Sequence, residues 1–88
     1  MDSKFTEMIN KRQEANKDII KHLTDMVDKY PELRFGQILA ISKVIQYEYV
    51  SCDSDKYVEV VKDPFHEESV VTLQRVNNKI KQYKDENI

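Results

Sequence analysis

Glycine and proline are scarce in this chain, which contains one glycine and two prolines among 88 residues. Tight turns, hairpins and phosphate-cradling loops depend on these residue types, so their scarcity favours long helices with few connections. Hydrophobic residues make up 40% and charged residues 34% of the chain, which is typical of a globular protein. We predict one mainly α domain over residues 1–88. It is a small bundle of three helices, with a short strand or irregular segment between the second and third and frayed ends at residues 1–4 and 86–88.

The first helix is predicted to span residues 4–29. Apolar residues recur there at steps of three, four or seven, which places them on one helical face. Ser3 is available to cap the start, and Pro31 forces the preceding residue out of the helical conformation. The apolar face consists of Met8, Ala15, Ile19, Leu23, Met26 and Tyr30.

Two further helices are predicted downstream. Residues 38–45 form the most hydrophobic stretch and fit either a strand or a buried helix by periodicity alone. Helical spacing continues to residue 49, which favours a helix over residues 33–50 as the most buried element. A third helix is predicted from residue 64 or 67 to about residue 85, with Asp63 as its N-cap and Pro64 at its first position.

Residues 57–61, Tyr-Val-Glu-Val-Val, have the β-branched and aromatic content of a short strand. A single strand cannot satisfy its own backbone hydrogen bonds. The segment must pair with a second copy, pack irregularly on the helices, or pair with a stretch elsewhere that the pattern does not identify. Because so short a chain also buries only a thin core, we predict self-association as a homodimer.

Charge decides little about function, whereas cysteine content and the N-terminal sequence point to a cellular compartment. Fourteen basic and sixteen acidic residues give a net charge of −2, too balanced to indicate either duplex binding or DNA mimicry. Cys52 has no partner for an intrachain disulfide. The polar N-terminal stretch lacks the apolar run of a secretory signal or a membrane span. We therefore expect a cytoplasmic protein without a membrane partner.

No residue pattern meets the requirements of a metal or catalytic site. Residues 53–55, Asp-Ser-Asp, open like a calcium loop, but the sixth and twelfth positions, which require Gly and Glu, are Val58 and Pro64. Neither histidine has another His or Cys at ligand spacing. A nucleophilic pair of Cys52 and His66 lacks a third orienting group and an oxyanion loop. We predict no metal, no cofactor and no enzymatic activity.

Basic residues on the first and third helices offer candidate phosphate contacts. They would form a continuous strip if those two helices lie side by side. Acidic residues are interleaved with them, and mixed signs favour a solvated face with local ion pairs over a nucleic-acid surface. The candidate phosphate contacts are Lys17, Lys21, Arg75 and Lys79.

Two short segments are the most specific local features, and both are candidates for a structural motif or a partner contact. The first, Arg34-Phe35-Gly36-Gln37, contains the only glycine at the start of a helix, where Gly costs about 1 kcal/mol relative to Ala. This predicts a positive φ at Gly36, or a neighbouring element too close for a Cβ atom. The second is Asp63-Pro64-Phe65-His66. We interpret Phe35 and Phe65 as plugs that close the ends of the helical core.

Together these segments resemble a group of small bacterial and phage proteins that share an Arg-Phe-Gly-Gln stretch at a helix start, followed downstream by Asp-Pro-Phe, an aromatic residue and acidic residues. The resemblance covers about residues 30–75. His66 stands where that group more often has an aromatic such as tyrosine, and residues 48–62 are longer than its usual linker. The resemblance implies a bacterial or phage origin and a helical fold, but no chemistry.

These observations favour a small, non-catalytic, phage-encoded interaction protein that binds and modulates a host or partner protein in the host cytoplasm. The alternative is a nucleic-acid-associated regulator that uses the basic residues of the outer helices. An enzyme ranks third. A co-purifying protein would support the first hypothesis, and salt-dependent binding of RNA or DNA would support the second.

Overall fold

The computed structural model describes residues 3–86, which form three helices and one two-stranded antiparallel sheet. The prediction of a mainly helical fold with strand structure between the second and third helices is confirmed. Of the ends predicted to fray, residues 1, 2, 87 and 88 lie outside the described residues. In chain order the elements are α1 (Ser3–Lys29), α2 (Phe35–Ile41), β1 (Tyr47–Asp53), β2 (Lys56–Val61) and α3 (Ser69–Glu86).

Helix α1 ends at Lys29 as the sequence predicts and begins at Ser3, one residue earlier than predicted, so Ser3 is part of the helix. Ala15 and Ile19, one turn apart, are buried, with 3% and 8% of their surface exposed. The N–H of Tyr30 donates to the carbonyl of Met26 at 2.9 Å, which closes the last turn immediately before Pro31. The predicted apolar stripe is therefore buried or half-buried from Ala15 onward, whereas Met8 at its start is 44% exposed, and the proline stop is used as expected.

Helix α2 is much shorter than predicted, and the expectation of a helix over residues 33–50 is wrong beyond Ile41. Lys43 adopts a left-handed φ of 70°, which ends the helix. The buried hydroxyl of Ser42 donates to the carbonyl of Leu39 at 3.1 Å and accepts from the N–H of Val44 at 3.3 Å. These local bonds replace the helical ladder, and residues 47–50 enter a strand instead.

Helix α3 begins at Ser69 and not at residue 64 or 67. Asp63 caps a turn, because its Oδ1 accepts a hydrogen bond from the N–H of Phe65 at 2.9 Å. The carbonyl of Pro64 then accepts from the N–H of Glu67 at 3.0 Å. Asp63 and Pro64, predicted to start the helix, therefore form an Asx turn several residues before it.

The core is small and lies where α1 packs against both α2 and α3. Within the described residues α2 and α3 do not pack on each other, so a mutually packed three-helix bundle is not observed. The radius of gyration is 16.0 Å, whereas a compact domain of this length has roughly 12 Å. The buried residues are Ala15, Ile19, Ile38, Ser42 and Val76.

Strands β1 and β2 form a hairpin in which Tyr49 faces Glu59 and Val50 faces Val58. Of the alternatives open for residues 57–61, pairing with another stretch of the same chain is therefore the one adopted. The register shifts between Ser51 and Asp53, at a bulge that leaves Cys52 unpaired. In the described part of the chain the hairpin packs against none of the helices.

Candidate functional site

The hairpin exposes apolar side chains on both of its faces. Directly paired residues share a face, and neighbours along a strand alternate between faces. We call one side the tyrosine face: it carries Tyr47, Tyr49, Ser51, Tyr57, Glu59 and Val61. The opposite side, the valine face, carries Glu48, Val50, Val58 and Val60. Tyr49 and Tyr57 are 73% and 69% exposed, so the aromatic surface faces solvent.

Local sequence explains the hairpin. Residues 57–61 supply β-branched and aromatic side chains to β2, and Tyr47, Tyr49 and Val50 supply them to β1. The hydroxyl of Ser51 donates to the carbonyl of Asp53 at 3.2 Å, at the start of the turn that joins the strands. Ser54 and Asp55 thus form a hairpin turn made without glycine.

A polar cleft of about 460 Å³ lies between one end of the tyrosine face and α3. Three cationic side chains line it, against the single carboxylate of Glu59. Amide side chains and Tyr47 form the remainder of the wall, which gives the cleft hydrogen-bond donors and acceptors beside apolar surface. The lining residues are Lys43, Gln46, Tyr47, Glu59, Arg75, Asn78, Lys79 and Gln82.

Arg75 is the best-connected side chain of this region. Its guanidinium donates to both carboxylate oxygens of Glu67, at 2.7 and 3.0 Å. It also donates to the backbone carbonyls of Lys43 and Val44, at 2.7 and 3.2 Å. The hydrogen bonds from Arg75, followed by that from Thr72, hold the pKa of Glu67 below its ordinary value. This predicted phosphate contact is therefore occupied by acceptors of the protein itself.

A second ion pair joins α1 to the residue that precedes α3. Arg12 donates from Nε and Nη2 to the two oxygens of Glu68, at 2.9 and 3.0 Å. This fork geometry lowers the pKa of Glu68 and raises that of Arg12, in each case chiefly through the side-chain hydrogen bond. Both side chains are 44% exposed, so the pair positions the helices more than it stabilises them.

The predicted phosphate strip divides into two separate pairs. Lys17 lies two residues from Ala15, about 200° of helical rotation, and Lys21 lies the same distance from Ile19. Both lysines are therefore on the face of α1 away from the buried stripe. Arg75 and Lys79 instead flank the buried Val76 and meet at the cleft. The structure brings the last two together but not all four.

The Arg34-Phe35-Gly36-Gln37 segment has a capping role at the start of α2. Oε1 of Gln37 accepts a hydrogen bond from the N–H of Arg34 at 2.8 Å. This is half of a capping box, because a guanidinium has no acceptor for the reciprocal bond. The predictions for Gly36 are wrong: its φ is not positive, and nothing lies within 4 Å of the position of an added Cβ.

Phe35 and Phe65 are surface residues, and the prediction that they plug the core is wrong. They are 58% and 81% exposed. The ring of Phe65 stacks edge-on against His66, with centroids 4.8 Å apart. Each phenylalanine belongs to a segment whose backbone bonds are already satisfied locally, by Gln37 or by Asp63. Their exposure makes them candidate contact residues and removes them from the core.

A comparison with protein-family models, curated proteins and solved structures finds no match for this chain. The resemblance of the two motif segments to bacterial and phage proteins therefore stays a prediction. Among residues 3–86, no helix is long and apolar enough to cross a membrane. No cluster of three or more metal-ligating side chains occurs in the same described part.

Proposed function

We propose that this protein is a non-catalytic interaction protein and that its hairpin is the surface that binds a partner protein. The observation that carries the proposal is the exposure of six large apolar side chains on an element that packs on no helix. Their exposed fractions lie between 45% and 73%. The six are Tyr47, Tyr49, Val50, Tyr57, Val58 and Val61.

Exposed tyrosines are well suited to such a surface. Tyrosine combines a large apolar ring with one hydroxyl and few rotatable bonds, and it is enriched among the residues that dominate binding energies. Burial of apolar surface contributes about 25 cal/mol per Å² before the costs of association are subtracted. A hairpin without further packing is marginally stable in water, so a partner that covers it also stabilises it.

The exposed phenylalanines support the same class of function. Phe35 and Phe65 sit on the two segments that resemble the bacterial and phage group, and both present their rings to solvent. A bacterial host protein in the cytoplasm is the partner that this resemblance favours.

Affinity capture with matched variants tests the proposal. We expect the Tyr49→Ser/Tyr57→Ser variant to lose partners that the parent retains. The control is Ile20→Ser/Val27→Ser, which removes two exposed apolar side chains from α1, outside the hairpin. Helix content by far-UV circular dichroism should be unchanged in both. Identical captured proteins for the parent and the tyrosine variant would refute a hairpin-mediated function.

The polar cleft favours one alternative, a nucleic-acid-associated regulator. Lys43 and Lys79 place two positive charges there against Glu59, while the charge of Arg75 is matched by Glu67. Fluorescence anisotropy with labelled RNA and duplex DNA at 50 and 200 mM salt tests it, with Lys43→Glu/Lys79→Glu as the variant and Lys17→Glu/Lys21→Glu as the control. Affinity that falls with salt and is lost only in the cleft variant would favour this alternative over a protein partner.

A further inference from the structure

The outer edge of β1 carries unpaired backbone groups. The N–H of Lys62 donates to the carbonyl of Gln46 at 2.8 Å, and this fixes the phase of the antiparallel ladder. Because hydrogen-bonded and non-hydrogen-bonded pairs alternate, Glu48 and Val50 turn their backbone groups toward β2. Tyr47, Tyr49 and Ser51 turn theirs outward. Within the described residues no helix packs on β1, and no backbone hydrogen bond from a helix or loop reaches Tyr47, Tyr49 or Ser51 on this edge.

The run from Tyr47 to Ser51 on the β1 edge has few of the features that usually prevent strand addition. Proteins protect open edges with proline, lysine, a covering element or a short strand. β1 is seven residues long, and Tyr49-Val50-Ser51-Cys52 at its centre is uncharged. Its bulge lies at Cys52, which leaves the run from Tyr47 to Ser51 regular. That run is a template for one more strand.

The surface of the isolated chain is larger than a monomer of its mass should expose. A compact monomer of 10.5 kDa exposes roughly 5,400 Å², whereas this chain exposes 7266 Å². Part of this excess lies on the hairpin, which carries six of the exposed large apolar side chains, and the rest lies on the helices and the turn before α3. A second copy that pairs along the hairpin edge covers part of this surface.

We infer that β1 pairs antiparallel with β1 of a second copy, so that two hairpins join into one four-stranded sheet. The two-fold axis passes at Tyr49, which faces Tyr49 of the second copy, while Tyr47 faces Ser51 of the second copy. This register uses only residues whose backbone groups point outward, and it stops before the bulge. It places no like charges opposite each other, because Glu48 faces Val50 of the second copy.

The outer edge of β2 does not offer an equivalent arrangement. There the outward-facing residues are Tyr57, Glu59 and Val61, by the same alternation. Centring a two-fold axis on this edge places Glu59 opposite Glu59 of the second copy, and directly opposed like charges destabilise a strand pair. The two edges of one hairpin thus differ, with β1 open to a second copy and β2 closed to it.

Pairing through β1 also explains how the exposed hairpin is stabilised. A two-stranded hairpin is marginal in water, whereas a sheet of three or more strands with an apolar face is not. The two-fold axis keeps the tyrosine faces on the same side of the joined sheet. That side then presents three tyrosines from each copy as one continuous surface. The inference rests on the proposed function, since that surface is the one assigned to partner binding.

Sedimentation equilibrium of the purified full chain tests the pairing separately from partner capture. We expect twice the mass of one chain at tens of micromolar. Tyr49→Pro removes an outward N–H and should give the mass of one chain, whereas Glu59→Pro makes the same change on the opposite edge and should stay dimeric. A parent of single-chain mass overturns the pairing but leaves partner capture as a separate result. A dimer that survives Tyr49→Pro overturns the assigned edge.

A crosslink tests the register without relying on a disruptive substitution. In a Cys52→Ser background, Tyr49→Cys places two cysteines on the axis, at the Cα separation of about 5.5 Å that a disulfide accepts. Mild oxidation should convert most of this variant to a covalent dimer on a non-reducing gel. The control, Glu59→Cys in the same background, should stay monomeric on the gel. Equal crosslinking of the two variants, or none in either, overturns the register.

Discussion

Arg75 donates a hydrogen bond from Nε to the backbone carbonyl of Lys43 at 2.7 Å, across 32 positions of sequence. Among the described residues other than glycine, Lys43 is the one with a positive φ, 70°. The same guanidinium holds Glu67, whose side chain is 19% exposed. One arginine of α3 therefore fixes both the end of α2 and the turn that precedes α3.

Replacement of Arg75 by alanine should destabilise the fold. Glu67 would lose its charged partner, and two backbone carbonyls would lose donors. We expect a loss of about 2 kcal/mol, which corresponds to a fall of roughly 10 °C in Tm. Lys79→Ala, which removes another cation from the same cleft, serves as the control and should melt close to the parent. Equal Tm values for the Arg75→Ala and Lys79→Ala variants would contradict the role of Arg75 as a structural link.

Replacement of Lys43 by glycine should stabilise the protein. A left-handed backbone costs an L-residue about 1 kcal/mol, and glycine adopts that conformation without strain. The free energy of unfolding, measured by urea denaturation, should rise by several tenths of a kcal/mol up to about 1 kcal/mol. Lys43→Ala removes the same side chain but keeps the strain, so it should stay near the parent. A glycine variant less stable than the alanine variant would argue against strain at this position.

Gly36→Ala should also stabilise the protein, contrary to the expectation from the sequence. Gly36 lies in α2 with no positive φ and with open space where a Cβ would stand. Alanine has the higher helix propensity and restricts the unfolded chain more, which together favour it by up to about 1 kcal/mol. Thermal melts of the parent and the variant check this. A lower Tm would mean that a partner or an unseen contact requires the glycine.

Truncation of the two exposed phenylalanines should have little effect on stability. Phe35→Ala and Phe65→Ala remove rings that are more than half exposed, so each should cost less than about 1 kcal/mol. Ile38→Ala is the reference, since Ile38 is 2% exposed and such core truncations cost about 2–5 kcal/mol. Melts of the three variants beside the parent separate surface from core. If either phenylalanine variant is unfolded, that phenylalanine belongs to the core.

Stability should fall as the pH drops below about 4.5, the pKa of an unperturbed glutamate. In the folded protein the pKa values of Glu67 and Glu68 are lowered, so the unfolded chain binds protons first. Their contribution is complete above the unfolded pKa and is lost as the pH falls through the folded values. Urea denaturation between pH 7 and pH 3 measures it. Glu67→Gln should be less stable than the parent at pH 7 and should lose less on acidification, whereas equal slopes would exclude this linkage.

The sequence predicts α1 correctly because a long apolar stripe and a proline stop act locally. It fails at Lys43, where a left-handed backbone ends α2 although the helical spacing of apolar residues continues. The conformation of that residue is set by the buried hydroxyl of Ser42 and by Arg75, which lies 32 positions away. Tertiary contacts of this kind leave no periodic signal.

The site was predicted less well than the fold. The β-branched segment at residues 57–61 is predicted as strand-like, but residues 47–50 of its partner β1 are predicted as the end of the second helix. Phe35 and Phe65 were assigned to the core because large aromatics usually are buried, whereas the segments that carry them close their own hydrogen bonds and need no cover. Exposure depends on what packs above a residue, and composition does not contain that information.

The hairpin joins the helical part of the molecule at a single point. The chain enters at Gln46 and leaves at Lys62, and a backbone hydrogen bond of 2.8 Å links these two residues. Because the helices make no packing contact with the strands between them, insertions, deletions and substitutions there are tolerated at little cost to the core. Selection can therefore change the length and sequence of the hairpin while the helices that carry it stay unchanged.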